Sequence, residues 1–217
     1  MAKFIEVRDL VHHFSLEILT GEKFLSDHIT EDNARRPGLE FIKYLSFFPQ
    51  NRVYVLGENE IQYLYTLPEV EREERIENLV KYRPPCIIVT DGVDRLKYLP
   101  KYCEERKIPL LRTADQHYEF IKKIDSYLIR QLAPEIAVHG VCLNVFGVGV
   151  LLRGASGIGK SETAHSLIGR GHRLVADDIV VLKKLSPQTL LGTHNGTNKE
   201  LLSMRSIGLL NVVRMYG

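Results

Sequence analysis

Apolar positions recur at helical spacing from Phe4 to Phe14, and Ile18 to Leu25 follows as a short strand and turn. Arg52 to Gly57 is a strand ending in glycine, and Glu58 to Leu67 is a helix that Pro68 stops. Glu69 to Tyr82 is densely charged, with Val70, Ile76, Leu79 and Val80 on one side, which predicts an exposed amphipathic helix. Cys86 to Asp91 is a continuous apolar run with a polar end, the pattern of a buried parallel strand. Leu96 to Lys107 reads as helix and Ile108 to Thr113 as strand. Asp115 to Leu132 reads as a long helix with a stripe of Phe120, Ile121, Ile124, Leu128 and Leu132. The alternation of strand and helix predicts a small α/β domain with a mainly parallel sheet over residues 1–132. Nothing in it reads as catalytic. Asp91 at a strand end is either a helix cap or a site residue, the cap being the commoner role. Arg35 and Arg36 are either an anion contact or a solvated surface pair, the surface pair being the commoner.

Ala133-Pro134 ends the long helix and predicts a domain boundary. In the second domain, residues 133–217, Ile136 to Gly147 is strand-like and Val148 to Leu152 carries the chain back. Gly147-Val-Gly149 has no helix after it, so it reads as a hairpin turn. Leu174 to Leu182 is an apolar strand interrupted by Asp177 and Asp178. Ser186 to Lys199 is polar, with Gly192, Asn195 and Gly196, and reads as loop. Leu201 to Arg214 is apolar again, and no partner is evident for the last strand.

Between these elements lies Gly154-Ala155-Ser156-Gly157-Ile158-Gly159-Lys160-Ser161, which fits G-x-x-x-x-G-K-[ST], the phosphate-binding P-loop. An apolar segment ending at Arg153 precedes it, and Glu162 to Arg170 follows as helix. The glycines let the backbone turn its N–H groups inward as an anion-binding nest, and the helix points its positive end at the same spot. Lys160 is placed to reach the outer phosphates and the Ser161 hydroxyl to ligate Mg²⁺.

Asp177 and Asp178 matter more in this context. Charges within an apolar strand are costly unless paired or metal-bound. A phosphoryl-transfer site needs a carboxylate for the metal shell or to accept the proton of an attacking hydroxyl. His139 stands in an apolar strand before Gly140. By composition it is either a satisfied core or edge histidine, the usual case, or a site residue.

The whole-chain numbers exclude several classes. At 217 residues, 44% hydrophobic and 26% charged, the chain is ordinary for a globular protein of one or two domains. The net charge of +2 gives no nucleic-acid footprint. No apolar run is long enough to span a membrane, and Met1 to Glu6 lacks a signal-peptide core. Cys86, Cys103 and Cys142 are widely spaced and form no C-x-x-C pair. A cytoplasmic protein is expected.

The segments His139-Gly-Val, Gly147-Val-Gly-Val-Leu, Gly154 to Ala164, and Arg170-Gly-His-Arg-Leu-Val-Ala-Asp-Asp178 closely resemble the HPr kinase/phosphorylase family. Arg36 to Glu40, Arg52 to Gly57 and Leu132-Ala-Pro134 resemble that family's first domain, so the likeness covers nearly the whole chain. The resemblance implies an enzyme that phosphorylates a serine of the phosphocarrier protein HPr with ATP or pyrophosphate. It also implies removal of that phosphate by phosphorolysis, and a hexamer. By position, Lys160 cradles the donor phosphates and Ser161 ligates Mg²⁺. Asp178 is base in one direction and acid in the other, Asp177 supports metal or water, and His139 is an active-site residue. The family's Glu, a further Mg²⁺ contact two residues before Arg205, is Ser203 here, and Ser206 replaces a glycine. The resemblance also implies that the family's sequence continues for about a third of its length beyond Gly217, so the P-loop domain is expected to be incomplete. Two other readings stay open at this level: a nucleotide- or HPr-binding module with little turnover, and an unrelated P-loop ATPase.

Overall fold

The computed structural model describes residues 3–37, 51–196, 201–204 and 208–211. Gly38 to Glu40, Arg205, Ser206 and residues 212–217 lie outside these, and Ser203 is described only by its backbone. The chain divides into two compact units, Met1–Leu132 and Ala133–Gly217.

In chain order the first unit contains β1 (Ile5–Glu6), α1 (Val7–Phe14), β2 (Glu17–Thr20), β3 (His28–Ile29), β4 (Tyr54–Leu56), α2 (Glu58–Thr66), α3 (Glu69–Lys81), β5 (Ile87–Val89), α4 (Leu99–Arg106), β6 (Leu110–Arg112) and α5 (His117–Leu132). Its main sheet has the order β2-β6-β5-β4. The last three strands are parallel and β2 is antiparallel at the edge.

Alternation along the strands divides the core. Tyr54, Leu56, Ile87, Val89 and Leu110 face α2, α3 and α4 through Ile61, Ile76, Leu79 and Cys103. Val53, Val55, Cys86, Ile88 and Leu111 face α1 and α5 through Leu10, Phe120, Ile124 and Leu128. Both faces are covered, which is why these strands read as continuous apolar runs. Each fully buried Val, Leu or Ile contributes about 1.5–3 kcal/mol. Val70, expected on the inner side of its helix, is instead 80% exposed. It lies in the first turn of α3, before that helix reaches the sheet.

Asp91 is the cap that its position suggested, and it serves two helices. Its carboxylate accepts the amide of Glu58 at 3.1 Å and of His117 at 2.8 Å, the first residues of α2 and α5. Beside it the His117 ring fills the space over Gly57, where a Cβ would come within 2.9 Å of the ring. His117 Nδ1 is 3.0 Å from the Thr90 hydroxyl, and Nε2 is buried with no partner among the described residues.

Burial holds the His117 pKa below its ordinary 6.5. The Arg36 guanidinium adds to this, and the Glu60 and Asp91 carboxylates oppose it. Below the ordinary histidine pKa the unfolded chain takes up a proton that the folded one resists. The contribution of neutral His117 is therefore constant at neutral pH and is lost as pH falls through and below that value. Urea midpoints compared between wild type and His117→Gln should converge from about pH 7.5 to about pH 5.5. A constant difference would refute this assignment.

The second unit contains β7 (Glu135–His139), β8 (Val141–Val145), β9 (Val148–Leu152), α6 (Lys160–Ile168), β10 (Arg173–Ala176), β11 (Ile179–Ser186), β12 (Thr189–His194), β13 (Leu201–Met204) and β14 (Gly208–Asn211). One antiparallel sheet has the order β10-β8-β9 and another β12-β11-β7, while β13 pairs with β14. Helix α6 covers one face of the first sheet through Ala164 and Ile168 on Val141 and Leu143. The opposite face carries Cys142 and Ala176 against Val180, Val138 and Leu182 of the second sheet. A Cβ on Gly192 would lie 3.0 Å from Cys142 Sγ, so glycine permits that approach.

The expected hairpin is present. Phe146 and Gly147, with φ of 51° and 85°, join β8 to β9, and Asn144 Oδ1 accepts the Gly147 amide at 2.9 Å. Three expectations are corrected. Ser186 to Lys199 is not all loop, because Thr189–His194 pairs with β11. The last apolar segment has a partner, because Leu201–Met204 pairs with Gly208–Asn211. The segments around Gly140 and around Asp177-Asp178 are not single strands, since each changes sheet at those residues.

Candidate active site

Strand register brings the site together. Leu152 of β9 pairs with Val141 of β8, and Ala176 of β10 pairs with Cys142 of β8. Both β9 and β10 run opposite to β8, so they end where β8 begins. The start of the P-loop, Gly140 and Asp177-Asp178 therefore share one edge.

Two chain crossings meet there. Strand β7 ends at His139, opposite Ile179 at the start of β11. The Gly140 amide donates to the Asp178 carbonyl at 3.1 Å, and the Ile179 amide donates to the Asp177 carbonyl at 2.8 Å. The latter bond closes a three-residue turn centred on Asp178, whose φ is 66°. Turns of this γ type are rare and strained, and such strain collects at functional sites. Gly140 has to be glycine, because a Cβ would come within 2.6 Å of the Leu152 carbonyl oxygen. Sequence reasoning noted Gly140 only as a neighbour of His139. A glycine between a histidine and a buried strand is the signal for this corner.

The crossing sets His139 Nδ1 3.5 Å from Asp178 Oδ1, with both side chains largely exposed. That is ion-pair range when the imidazole carries a proton. Asp177 is half-buried beside it.

The P-loop runs from β9 into α6. Gly154, Gly157 and Gly159 have φ of 156°, 87° and 97°, a backbone path that other residues rarely take. Gly159 is the N-cap of α6, and Ser161 lies in that helix's first turn. Lys160 Nζ donates to the carbonyls of Gly154 and Ala155, both at 3.0 Å, so its ammonium lies across the loop. Ala155, Ser156, Gly157 and Ile158 are exposed.

The donor chemistry fits a hard dication. The Ser161 hydroxyl and the Asp177 and Asp178 carboxylates are oxygen donors. Among the described residues no three His, Cys, Asp or Glu side chains form a ready-made metal cage. Mg²⁺ is usually held by one or two carboxylates together with substrate phosphates, and needs no such cage. The structure says nothing of the Ser203 side chain, although its backbone pairs with Leu209 in the β13–β14 hairpin.

The three cysteines are free, buried thiols. Burial raises the pKa of each, with Cys103 pushed up to about 12. None has the lowered pKa of a nucleophile.

A P-loop that starts at the same sheet edge as a pair of carboxylates is the arrangement a phosphoryl-transfer enzyme needs. The sequence matches the family model "HPr Serine kinase N terminus" over residues 5–128 and "HPr Serine kinase C-terminal domain" over residues 130–217. The chain belongs to the HPr kinase/phosphorylase family, whose members are protein serine kinases. It is 61% identical over 215 residues to "Putative HPr kinase/phosphorylase 2" of Oceanobacillus iheyensis, covering 99% of this chain and 70% of that relative. It is 39% identical over 213 residues to the HPr kinase/phosphorylase of Bacillus cytotoxicus, covering 98% and 69%. The solved HPr(Ser) kinase/phosphatase of Coxiella burnetii matches with 34% identity over 38% of this chain and 49% of that chain, at a TM-score of 0.36. Family membership sets aside the reading as an unrelated P-loop ATPase. No helix among the described residues is long and apolar enough to cross a membrane.

Proposed function

We propose that this chain transfers a phosphoryl group from ATP or pyrophosphate to a serine of the phosphocarrier protein HPr, and removes it by phosphorolysis. The observation that carries this reading is the shared edge, where the P-loop begins beside the His139–Asp178 corner. In the forward direction Asp178 accepts the proton of the serine hydroxyl. The serine oxygen bonds to the terminal phosphorus as the bridging P–O bond breaks, and ADP or orthophosphate leaves. In reverse, an orthophosphate oxygen attacks the phosphoserine phosphorus. The serine oxygen leaves and recovers a proton from Asp178, and pyrophosphate forms.

His139 orients the Asp178 carboxylate. Lys160 and the loop amides from Gly154 to Ser161 hold the donor phosphates. Mg²⁺, when bound by Ser161 and Asp177 with the substrate phosphates, neutralises charge there. Most of the catalysis is positioning and electrostatics, as expected for phosphoryl transfer. We place the enzyme in the cytoplasm as a homo-oligomer, in keeping with its family resemblance.

The test is incubation with HPr, Mg²⁺ and either ATP or pyrophosphate, followed by detection of phosphoserine. Product that disappears again when orthophosphate is added is the expected result. Nucleotide binding without any phosphoserine would favour the binding-module reading.

A further inference from the structure

We infer that Arg153 is a further contact for the phosphoryl group, on the acceptor side of the site; this rests on the reading above. Arg153 directly follows β9 and precedes the P-loop. Side chains alternate along that strand. Leu152 packs with the α6 cluster, whereas Leu151 packs on the opposite side, toward the second sheet. Arg153 follows the side of Leu151. Its Cγ lies 3.4 Å from the point where a Gly140 Cβ would stand, so its stem rests over the glycine corner.

The Gly140 amide is bonded to the Asp178 carbonyl, which puts Arg153, Gly140 and Asp178 in one row. Two strand spacings separate the ends of that row, roughly 10 Å of backbone. An arginine side chain spans much of this. Arg153 is exposed and has no ion pair or hydrogen bond from its guanidinium among the described residues. Asp178 turns to His139 instead.

A guanidinium without a partner among the described residues, on a stem that leaves the phosphate loop and rests over Gly140, matches a dianionic phosphate in charge and in its fork of donors. Lys160 already serves the donor end, from inside the loop. Arg153 adjoins Gly154 at the start of the loop, and its stem lies over Gly140 beside the acceptor corner. The group it fits is the phosphate on the serine side: the phosphoserine phosphate in reverse, and in the forward direction the phosphoryl group only once it has left the donor.

Equilibrium binding tests this without turnover. Phosphorylated HPr, unmodified HPr and ATP are titrated separately into wild type, Arg153→Met and Arg153→Lys. Inorganic phosphate is titrated with ADP held at saturation, so that the P-loop is filled. Methionine keeps a stem over Gly140, and circular dichroism checks the fold. Arg153→Met should weaken phosphorylated HPr and inorganic phosphate by about tenfold or more, since a hydrogen bond to a charged group is lost. Unmodified HPr and ATP should stay within about twofold, and lysine should restore part of the loss. Equal weakening of both forms of HPr makes Arg153 a docking contact and overturns the inference. Weakening confined to ATP, or no difference in any titration, overturns it as well. If wild type binds neither form of HPr, the substrate reading fails, and the inorganic phosphate titration still decides Arg153.

Discussion

Lys160→Ala is expected to abolish phosphoryl transfer, by at least about a hundredfold in kcat, and to weaken ATP binding. The loop amides supply partial charges, whereas Lys160 brings a full positive charge within the loop itself. Its ammonium donates to the Gly154 and Ala155 carbonyls. Those bonds hold it over the glycine turn, where the outer phosphates would arrive. Alanine removes the charge and both bonds, so the loop loses electrostatic attraction and some of its shape. The substitution falls at the first residue of α6, where alanine is an excellent helix former, so the helix should survive. The measurement is a steady-state assay with HPr, alongside ATP titration and far-ultraviolet circular dichroism. Undiminished transfer in a folded variant would remove Lys160 from the mechanism.

The second large effect is expected at Asp178. Asp178→Asn should bind ATP and HPr as wild type does, yet lose both phosphorylation and phosphorolysis by about 10²–10⁴. In the proposed mechanism one group accepts the proton in one direction and returns it in the other, so the losses should be parallel. Asparagine suits the test because φ at this position is 66°, a conformation that Asp and Asn tolerate better than most residues. The turn should persist while the basicity is gone. A matched fall in Mg²⁺-dependent nucleotide affinity would instead assign the carboxylate to the metal shell.

The N-terminal sheet was legible because its strands are buried on both faces. Apolar runs such as Cys86–Val89 leave few other structures open to the chain. Strand β12 was not legible. Leu190 and Leu191 stand side by side, Gly192 follows, and period-two alternation is absent. The strand exists because β11 offers it a partner and because Gly192 fits against Cys142.

The P-loop was readable outright, since its glycine spacing answers a backbone requirement. The corner was half readable. Two aspartates in an apolar strand announced that something costly was tolerated there, but not that the strand breaks and changes sheet. His139 carried almost no signal of its own. Its place beside Asp178 is a matter of register between β7 and β11, residues some forty positions apart in sequence. Arg153 showed only as the one charged residue closing an apolar segment.

The corner has a consequence for stiffness. The bond between Gly140 and Asp178 lies at the junction of two ladders, β7 with β11 and β8 with β10. A slip in one ladder has to be matched by a slip in the other, and each slip would turn buried side chains outward. The backbone of this corner is thus tied to both sheets, although the His139 and Asp178 side chains are exposed. The donor half is a glycine loop whose shape rests on two exposed lysine bonds. On the proposed function, adjustment to different phosphate donors would fall to the loop rather than to the backbone at His139 and Asp178. On the function proposed above, a firmly tied acceptor side and a glycine-built donor side would let one site take a nucleotide or a bare pyrophosphate without moving Asp178.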